Sequence, residues 1–224
     1  MSPLPQSLFI SVPSQAERLA ERRTAAAPTT KICHGEEILV LPGVYGTSVD
    51  KELMIDSVEV SSNETFLEIG TGTGAISIAL AQCAQSGLGV DINPRAVKNS
   101  QQNAERAHTS NVTFAVSDLF QSVQGTFDVI VFNPPYGDQL VKDEIDRMFW
   151  DPNNETKRAF FEQVNTHLNP NGRIYFGWAN FADIDVDLPL HLAEQHQLQI
   201  CRTFLRDART KEFQFIVLEM GRAR

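Results

Sequence analysis

A chain of 224 residues, 42% hydrophobic and 21% charged, has the size and balance of one catalytic domain around a single core. Its formal charge of −9 argues against binding a phosphate backbone without help from a partner, and the absence of a bilayer-length apolar run argues against a membrane-embedded protein. Cys33, Cys83 and Cys201 are far apart and show no CxxC spacing, which speaks against a disulfide framework or a structural zinc site.

The N-terminus has no basic start followed by an apolar stretch and a small-residue cleavage site, so a reducing, cytoplasmic setting is expected rather than secretion. Residues 1–30 end in AAAPTT and read as an arm, partly helical or extended, ahead of a main domain at 31–224. Arg18, Arg22 and Arg23 fit a short helix in that arm. Arg202, Arg206, Arg209 and Lys211 gather near a late turn, and both groups read as solvated faces.

Lys31–Cys33 and Glu37–Leu41 flank His34-Gly35, the pattern of a hairpin, and Pro42-Gly43 ends it. Leu53, Met54 and Val58 recur at helical spacing. Strand and helix then alternate: strands at Thr65–Ile69, Gly87–Asp91, Asn111–Val116 and Phe127–Phe132, with helices at Ala75–Gln85 and Pro94–Ala107. Asn93 before Pro94 suits a helix start, since an Asn side chain caps free N–H groups and proline lacks one. A helix at Glu155–Leu168 is expected to stop at NPNG, followed by a strand at Arg173–Trp178 and a helix at Leu188–Gln197. The ending reads as two apolar strands around a polar turn. This alternation implies right-handed crossovers and an α/β fold, doubly wound, with a mostly parallel seven-stranded sheet and an antiparallel C-terminal strand pair. His191 and His196, five apart, do not put both rings on one helix face, so no metal site is expected.

The chemistry-bearing residues follow the strands. LEIGTGTGA joins the first strand of the alternation to its helix, where glycines permit a tight turn and free N–H groups favour polar ligands. Gly70, Gly72 and Ala75 satisfy a GxGxxA pattern with Asp91 placed for a ribose, so a nicotinamide dinucleotide is one reading. Glu68 would repel a pyrophosphate there and instead suits a cationic amino group or a hydrogen-bond network. Asp118, after the next strand, is placed to accept from an adenine amino group or to cap a turn. Three acids after three strands suit an adenosyl ligand with a sulfonium and an amino-acid tail better than a dinucleotide.

LEIGTGTG, GVDINPRAV and FDVIVFNPPY, in this order, resemble the motifs of class I S-adenosylmethionine-dependent methyltransferases with an NPPY turn. Within that group the chain is similar to HemK-type protein-glutamine methyltransferases and to related small domains that methylate exocyclic amines of bases; the likeness runs from about Gly43 to Met220. The resemblance implies S-adenosyl-L-methionine as cofactor, with Glu68, Gly70 and Gly72 along its methionine part, Asp91 on the ribose, and Ile92 and Asp118 at the adenine. Asn133, also near the cofactor, would accept from the substrate –NH₂ through its side-chain oxygen, the Pro134 carbonyl would take the other proton, and Tyr136 would pack on the planar group. It implies N-methylation of a planar amide or amine: protein glutamine first, then a nucleobase of the N6-adenine type or a small molecule. The partners implied are a protein or small-molecule acceptor, with nucleic acid not favoured, and an activating subunit is allowed. An inactive half of a methyltransferase pair is opposed by the intact NPPY turn. The chain departs from the family's VFxPxxDT segment in reading VYGTSVDK, with Thr47 for proline and Lys51 for threonine. Gly137–Asn153, polar and ending in Met148-Phe149-Trp150, is expected to be a lid or substrate wall, with Asp138, Asp143, Glu144 and Asp146 repelling phosphates.

Overall fold

The computed structural model describes residues 4–6, 8, 20, 25–143, 145–183, 185–208 and 211–223. Arg18, Arg22, Arg23, Glu144 and Arg209 lie outside them. Within the arm, Leu4 is buried in the core, and both Leu8 and Gln6 hydrogen-bond Asn180 through their backbones.

β1 (Thr29–Cys33) and β2 (Glu36–Val40) form an antiparallel hairpin, His34 and Gly35 both taking positive φ in its turn. α1 (Val49–Ser57) follows. The alternating part then runs β3 (Thr65–Ile69), α2 (Ala75–Ala81), β4 (Ser86–Asp91), α3 (Pro94–Arg106), β5 (Val112–Val116) and β6 (Phe127–Phe132). It closes with α4 (Glu155–His167), β7 (Leu168–Ala179), α5 (Leu188–Gln195), β8 (Leu198–Asp207) and β9 (Gln214–Arg222). The seven-stranded sheet has the order β5-β4-β3-β6-β7-β9-β8. β9 is antiparallel to both its neighbours, β7 and β8, while the other pairs are parallel, so the expected mostly parallel sheet with an antiparallel C-terminal pair is the one formed.

Most boundaries fall within two residues of the expectation, and two differ by more. α2 ends at Ala81 rather than Gln85, because the Asn111 side chain donates to the Ala81 and Ala84 carbonyls and takes the end of the helix. β7 begins at Leu168, where NPNG was expected to separate helix from strand; Phe127 pairs with Leu168 and Val129 with Arg173, so Asn169–Gly172 bulge out of a ladder that continues past them.

Strand alternation builds a core on each face of the sheet. Leu67, Ile69, Ile130, Phe132, Phe176 and Trp178 pack toward Phe160, Phe161 and Val164 of α4 and Leu188 and Leu192 of α5. Phe66, Val129, Val131 and Tyr175 face the other way, against Leu53 and Met54 of α1, Ile76 and Leu80 of α2 and Ala104 of α3. With helices on both faces, what is left open is the end of the sheet where β3, β4, β5 and β6 finish side by side. The order reverses there between β3 and β6, the place where open α/β sheets take ligands. Among the described residues no helix is long and apolar enough to cross a membrane.

Candidate active site

A cavity of about 930 Å³ occupies that open end. Gly70 and Gly72 reach it from the end of β3, Asp91 and Ile92 from β4, Ser117, Asp118 and Leu119 from β5, and Asn133, Pro134 and Tyr136 from β6. Of the residues expected at a site, Glu68 is the one that does not line it.

The turn between β3 and α2 depends on glycine at one place above all. Gly74, at φ 79°, is the residue before α2, and a Cβ there would stand 2.7 Å from the Ser100 Cβ of α3. Glu68 lies under this turn, 1% exposed. Its Oε2 accepts from the Ser77 N–H (3.0 Å), the Thr71 hydroxyl (2.9 Å) and the Ser77 hydroxyl. The carboxyl therefore ties the glycine turn to the first turn of α2. Burial pushes its pKa up to about 7, against the opposing pull of Ser77, the Lys51 charge and Thr71.

Asp91 ends β4 with both oxygens engaged: Oδ2 accepts from Gly72 N–H at 2.8 Å and Oδ1 from Asn93 N–H at 2.9 Å. Burial raises its pKa, countered by those two N–H groups and by Lys51. Asn93 caps α3 through Arg95 N–H, as its position before Pro94 suggested, and its amide also donates to the Gly43 carbonyl, drawing the segment after β2 to the cavity. Ile92 is 44% exposed, an apolar side chain at the mouth of a cavity. Asp118 is exposed, and its backbone carbonyl accepts from Gln121 N–H in a tight turn. Leu119 beside it takes φ 46°, unusual for a branched side chain, while its carbonyl is held by the Ser117 hydroxyl.

Asn133 follows β6 and makes two side-chain bonds. Its Nδ2 donates to the buried carboxylate of Asp50 at 2.7 Å, and its Oδ1 accepts from the Tyr136 hydroxyl at 2.8 Å. A carboxylate offers acceptors only, so Asp50 compels the –NH₂ edge toward itself and leaves the oxygen on the Tyr136 side. Burial, then the Asp50 charge, push the Tyr136 phenol well above its ordinary pKa, so the hydroxyl keeps its proton and donates. The Tyr136 ring packs edge-on to Trp178 with centroids 6.2 Å apart. Room for Asn133 comes from β7: Gly177 lies against it, and a Cβ there would fall 2.2 Å from Oδ1. In the sequence Asp50 stands out only as the aspartate of VYGTSVDK, and Gly177 carries no signal, because a glycine inside a strand reads as neutral until its neighbour across the ladder is known.

The stretch after the NPPY turn forms one wall. Gly137 N–H donates to Phe149 O and Asp151 N–H to Gly137 O, closing a loop whose Arg147, Met148, Phe149 and Trp150 line the cavity. Phe149 meets Tyr45 edge-on at 5.3 Å. A buried ion pair anchors the loop to α4, the Lys157 ammonium 2.9 Å from Asp151. Asp146, expected among the loop acids that repel phosphates, is 3% exposed and accepts from Lys142 N–H.

Strand ends sharing one cavity, on a doubly wound sheet closed by an antiparallel pair, define the Rossmann-like methyltransferase class. The ribosomal protein L11 methylase of Lactobacillus delbrueckii subsp. bulgaricus has the same fold, with a TM-score of 0.61 and 23% identity, covering 83% of this chain and 84% of that one. Residues 36–204 match the methyltransferase small domain family, and the chain belongs to it, among the class I S-adenosylmethionine-dependent methyltransferases. A protein of Methanocaldococcus jannaschii, provisionally named a protein N5-glutamine methyltransferase, is 46% identical over 106 residues, 46% of this chain and 52% of that protein. The release factor glutamine methyltransferase of Buchnera aphidicola subsp. Acyrthosiphon pisum is 32% identical over 163 residues, 68% of this chain and 55% of its own length. The chain thus spans about half the length of these curated relatives.

Proposed function

We propose that this chain is an S-adenosylmethionine-dependent N-methyltransferase whose acceptor is a planar amide, the side chain of a protein glutamine. Asn133 carries the reading: an amide clamped by Asp50, with its oxygen directed to the Tyr136 side of a cavity. An amide nitrogen is a poor nucleophile because its lone pair is delocalised. An acceptor oxygen fixed against one of its hydrogens holds the nitrogen in line and leaves more electron density on it. Asn133 Oδ1 has a second lone pair beyond the one Tyr136 uses, and Pro134 beside it brings a backbone carbonyl with φ fixed by its ring.

The residues at the other strand ends fit the donor. Asp91 suits the ribose hydroxyls, Ile92 offers an apolar face for the adenine with Asp118 near its amino group, and Gly70 and Gly72 let backbone approach the amino-acid part. When bound, S-adenosylmethionine supplies an electrophilic methyl group. Glu68 we assign to holding the glycine turn rather than to direct contact with the donor, because its carboxyl is enclosed by Thr71 and Ser77. The relatives' names support glutamine as acceptor. The acidic balance of the chain weighs against the nucleobase alternative, which predicts salt-sensitive binding to RNA or DNA. Unpaired Cys33, Cys83 and Cys201 accord with work in the cytoplasm.

Asn133→Ala tests the reading. Methyl transfer to a glutamine-containing protein is expected to vanish while S-adenosylhomocysteine affinity, measured by calorimetry, stays near wild type. Full transfer by the variant removes Asn133 from the chemistry.

A further inference from the structure

Lys51 sits at the third position of α1, 4% exposed, with its Nζ over the Tyr45 ring at 5.2 Å and 3.2 Å from where a Gly72 Cβ would stand. No ion pair or hydrogen bond reaches this ammonium from the described residues. Asp50, Glu68 and Asp91 act on it only through their fields; Asn133 holds one oxygen of Asp50, Ser77 and Thr71 one oxygen of Glu68, and Gly72 and Asn93 both oxygens of Asp91. Three positions earlier, the Ser48 hydroxyl is buried and has no hydrogen-bond partner among the described residues. Ser48 is the N-cap of α1, and its carbonyl accepts from the Lys51 and Glu52 N–H groups, but its side chain makes no capping bond, so the Val49 and Asp50 N–H groups are not covered by it. Both residues line the same cavity, on the side of Gly72.

A buried ammonium without a direct ion pair is costly, and burial lowers the Lys51 pKa, against the pull of the Glu68, Asp50 and Asp91 charges. A buried hydroxyl without a partner and a helix start without a cap add to the cost, and all three are donors. What offsets them together is an anion with several acceptor oxygens, small enough to sit between α1 and the glycine turn. A carboxylate meets that description.

Accepting the methyl-donor reading above, on which this rests, we propose that Lys51 and Ser48 seat the α-carboxylate of the donor's amino-acid part, Lys51 by an ion pair and Ser48 by a hydrogen bond. Lys51 stands where the family's pattern carries threonine, so a charge here occupies a position that the pattern gives to a hydroxyl. It also separates ligands: an adenosyl thioether with its carboxylate binds, and one without leaves Lys51 buried and unpaired.

The test is a cycle of two proteins and two ligands read by calorimetry: wild type and Lys51→Met, with S-adenosylhomocysteine and its decarboxylated analogue. In the wild type, loss of the carboxylate is expected to weaken binding about thirty-fold or more. In Lys51→Met the two ligands are expected to bind within about threefold of each other, a factor worth less than half of a tenfold step. Retained binding of the decarboxylated analogue by the variant shows the site still folded. Equal affinity of the two ligands for the wild type overturns the proposal without recourse to any variant, and so does an undiminished preference in Lys51→Met. If the wild type binds neither ligand, the donor reading itself fails and takes this assignment with it.

Discussion

Gly177→Ala adds a single methyl group at a site that touches neither donor nor acceptor, yet it is expected to slow catalysis on the order of a hundredfold. The new Cβ falls 2.2 Å from Asn133 Oδ1, 3.0 Å from its Cγ and 3.2 Å from its Cα. A carbon and an oxygen in contact stand about 3.3 Å apart, so the amide must retreat by about 1 Å. It cannot do so while keeping the 2.7 Å bond to Asp50 and the 2.8 Å bond from Tyr136. Displacement of a positioning group by about 1 Å costs on the order of a hundredfold in rate, and the added methyl costs about 1–3 kcal/mol in stability. Gly177 is not among the glycines at positive φ, so alanine meets a steric obstacle there and no backbone strain. The assay is single-turnover transfer of a labelled methyl group at saturating donor, with S-adenosylhomocysteine affinity and a thermal melt measured alongside. A rate within threefold of wild type in a folded Gly177→Ala protein would mean that Asn133 need not stand where the structure puts it, and the positioning argument would fall.

Asp50→Asn removes the acceptor-only clamp and lets the Asn133 amide turn over, so turnover is expected to drop about ten- to a hundredfold with donor affinity little changed; an unchanged rate refutes the clamp. Glu68 gives a pH dependence. Its carboxyl, 4.5 when unfolded, is raised to about 7 in the fold, so its contribution is complete below pH 4.5 and is lost as pH rises toward 7. Glu68→Gln is expected to flatten the fall in melting temperature across that window, and an unaltered slope would assign the effect elsewhere. Lys157→Met leaves the buried Asp151 carboxylate without its ammonium and is expected to cost about 3–5 kcal/mol by denaturant titration, whereas Lys157→Met with Asp151→Leu recovers part of the loss. Equal destabilisation of the single and double variants would show that pairing is not what matters there.

The sequence by itself determined the parts that depend on local pattern. Bounded apolar runs with β-branched residues read as buried strands, and Phe127–Phe132 forms over the expected residues. Asn93-Pro94 marks the start of α3 through a contact two residues long. The strand ends, and with them the positions of Gly72, Asp91, Asp118 and Asn133, follow because a parallel sheet brings successive C-terminal ends to one rim, where these residues now line one cavity.

Tertiary structure decided the rest, wherever a residue's role is set by one distant along the chain. Asn111 ends a helix 30 residues before it, and Asp50 orients an amide 83 residues after it. Glu68, two residues before the first glycine, points away from the cavity because strand alternation sends it to the α2 face, where Ser77 and Thr71 enclose it. Gly177 matters only because β7 lies next to β6, which no pattern in either strand records. Lys51 departs from a motif on paper; that its ammonium is buried, without an ion pair among the described residues, and beside Gly72 is a property of three segments meeting. Periodicity reports which face of an element is apolar, but not which polar atoms on two faces will be left to satisfy one another.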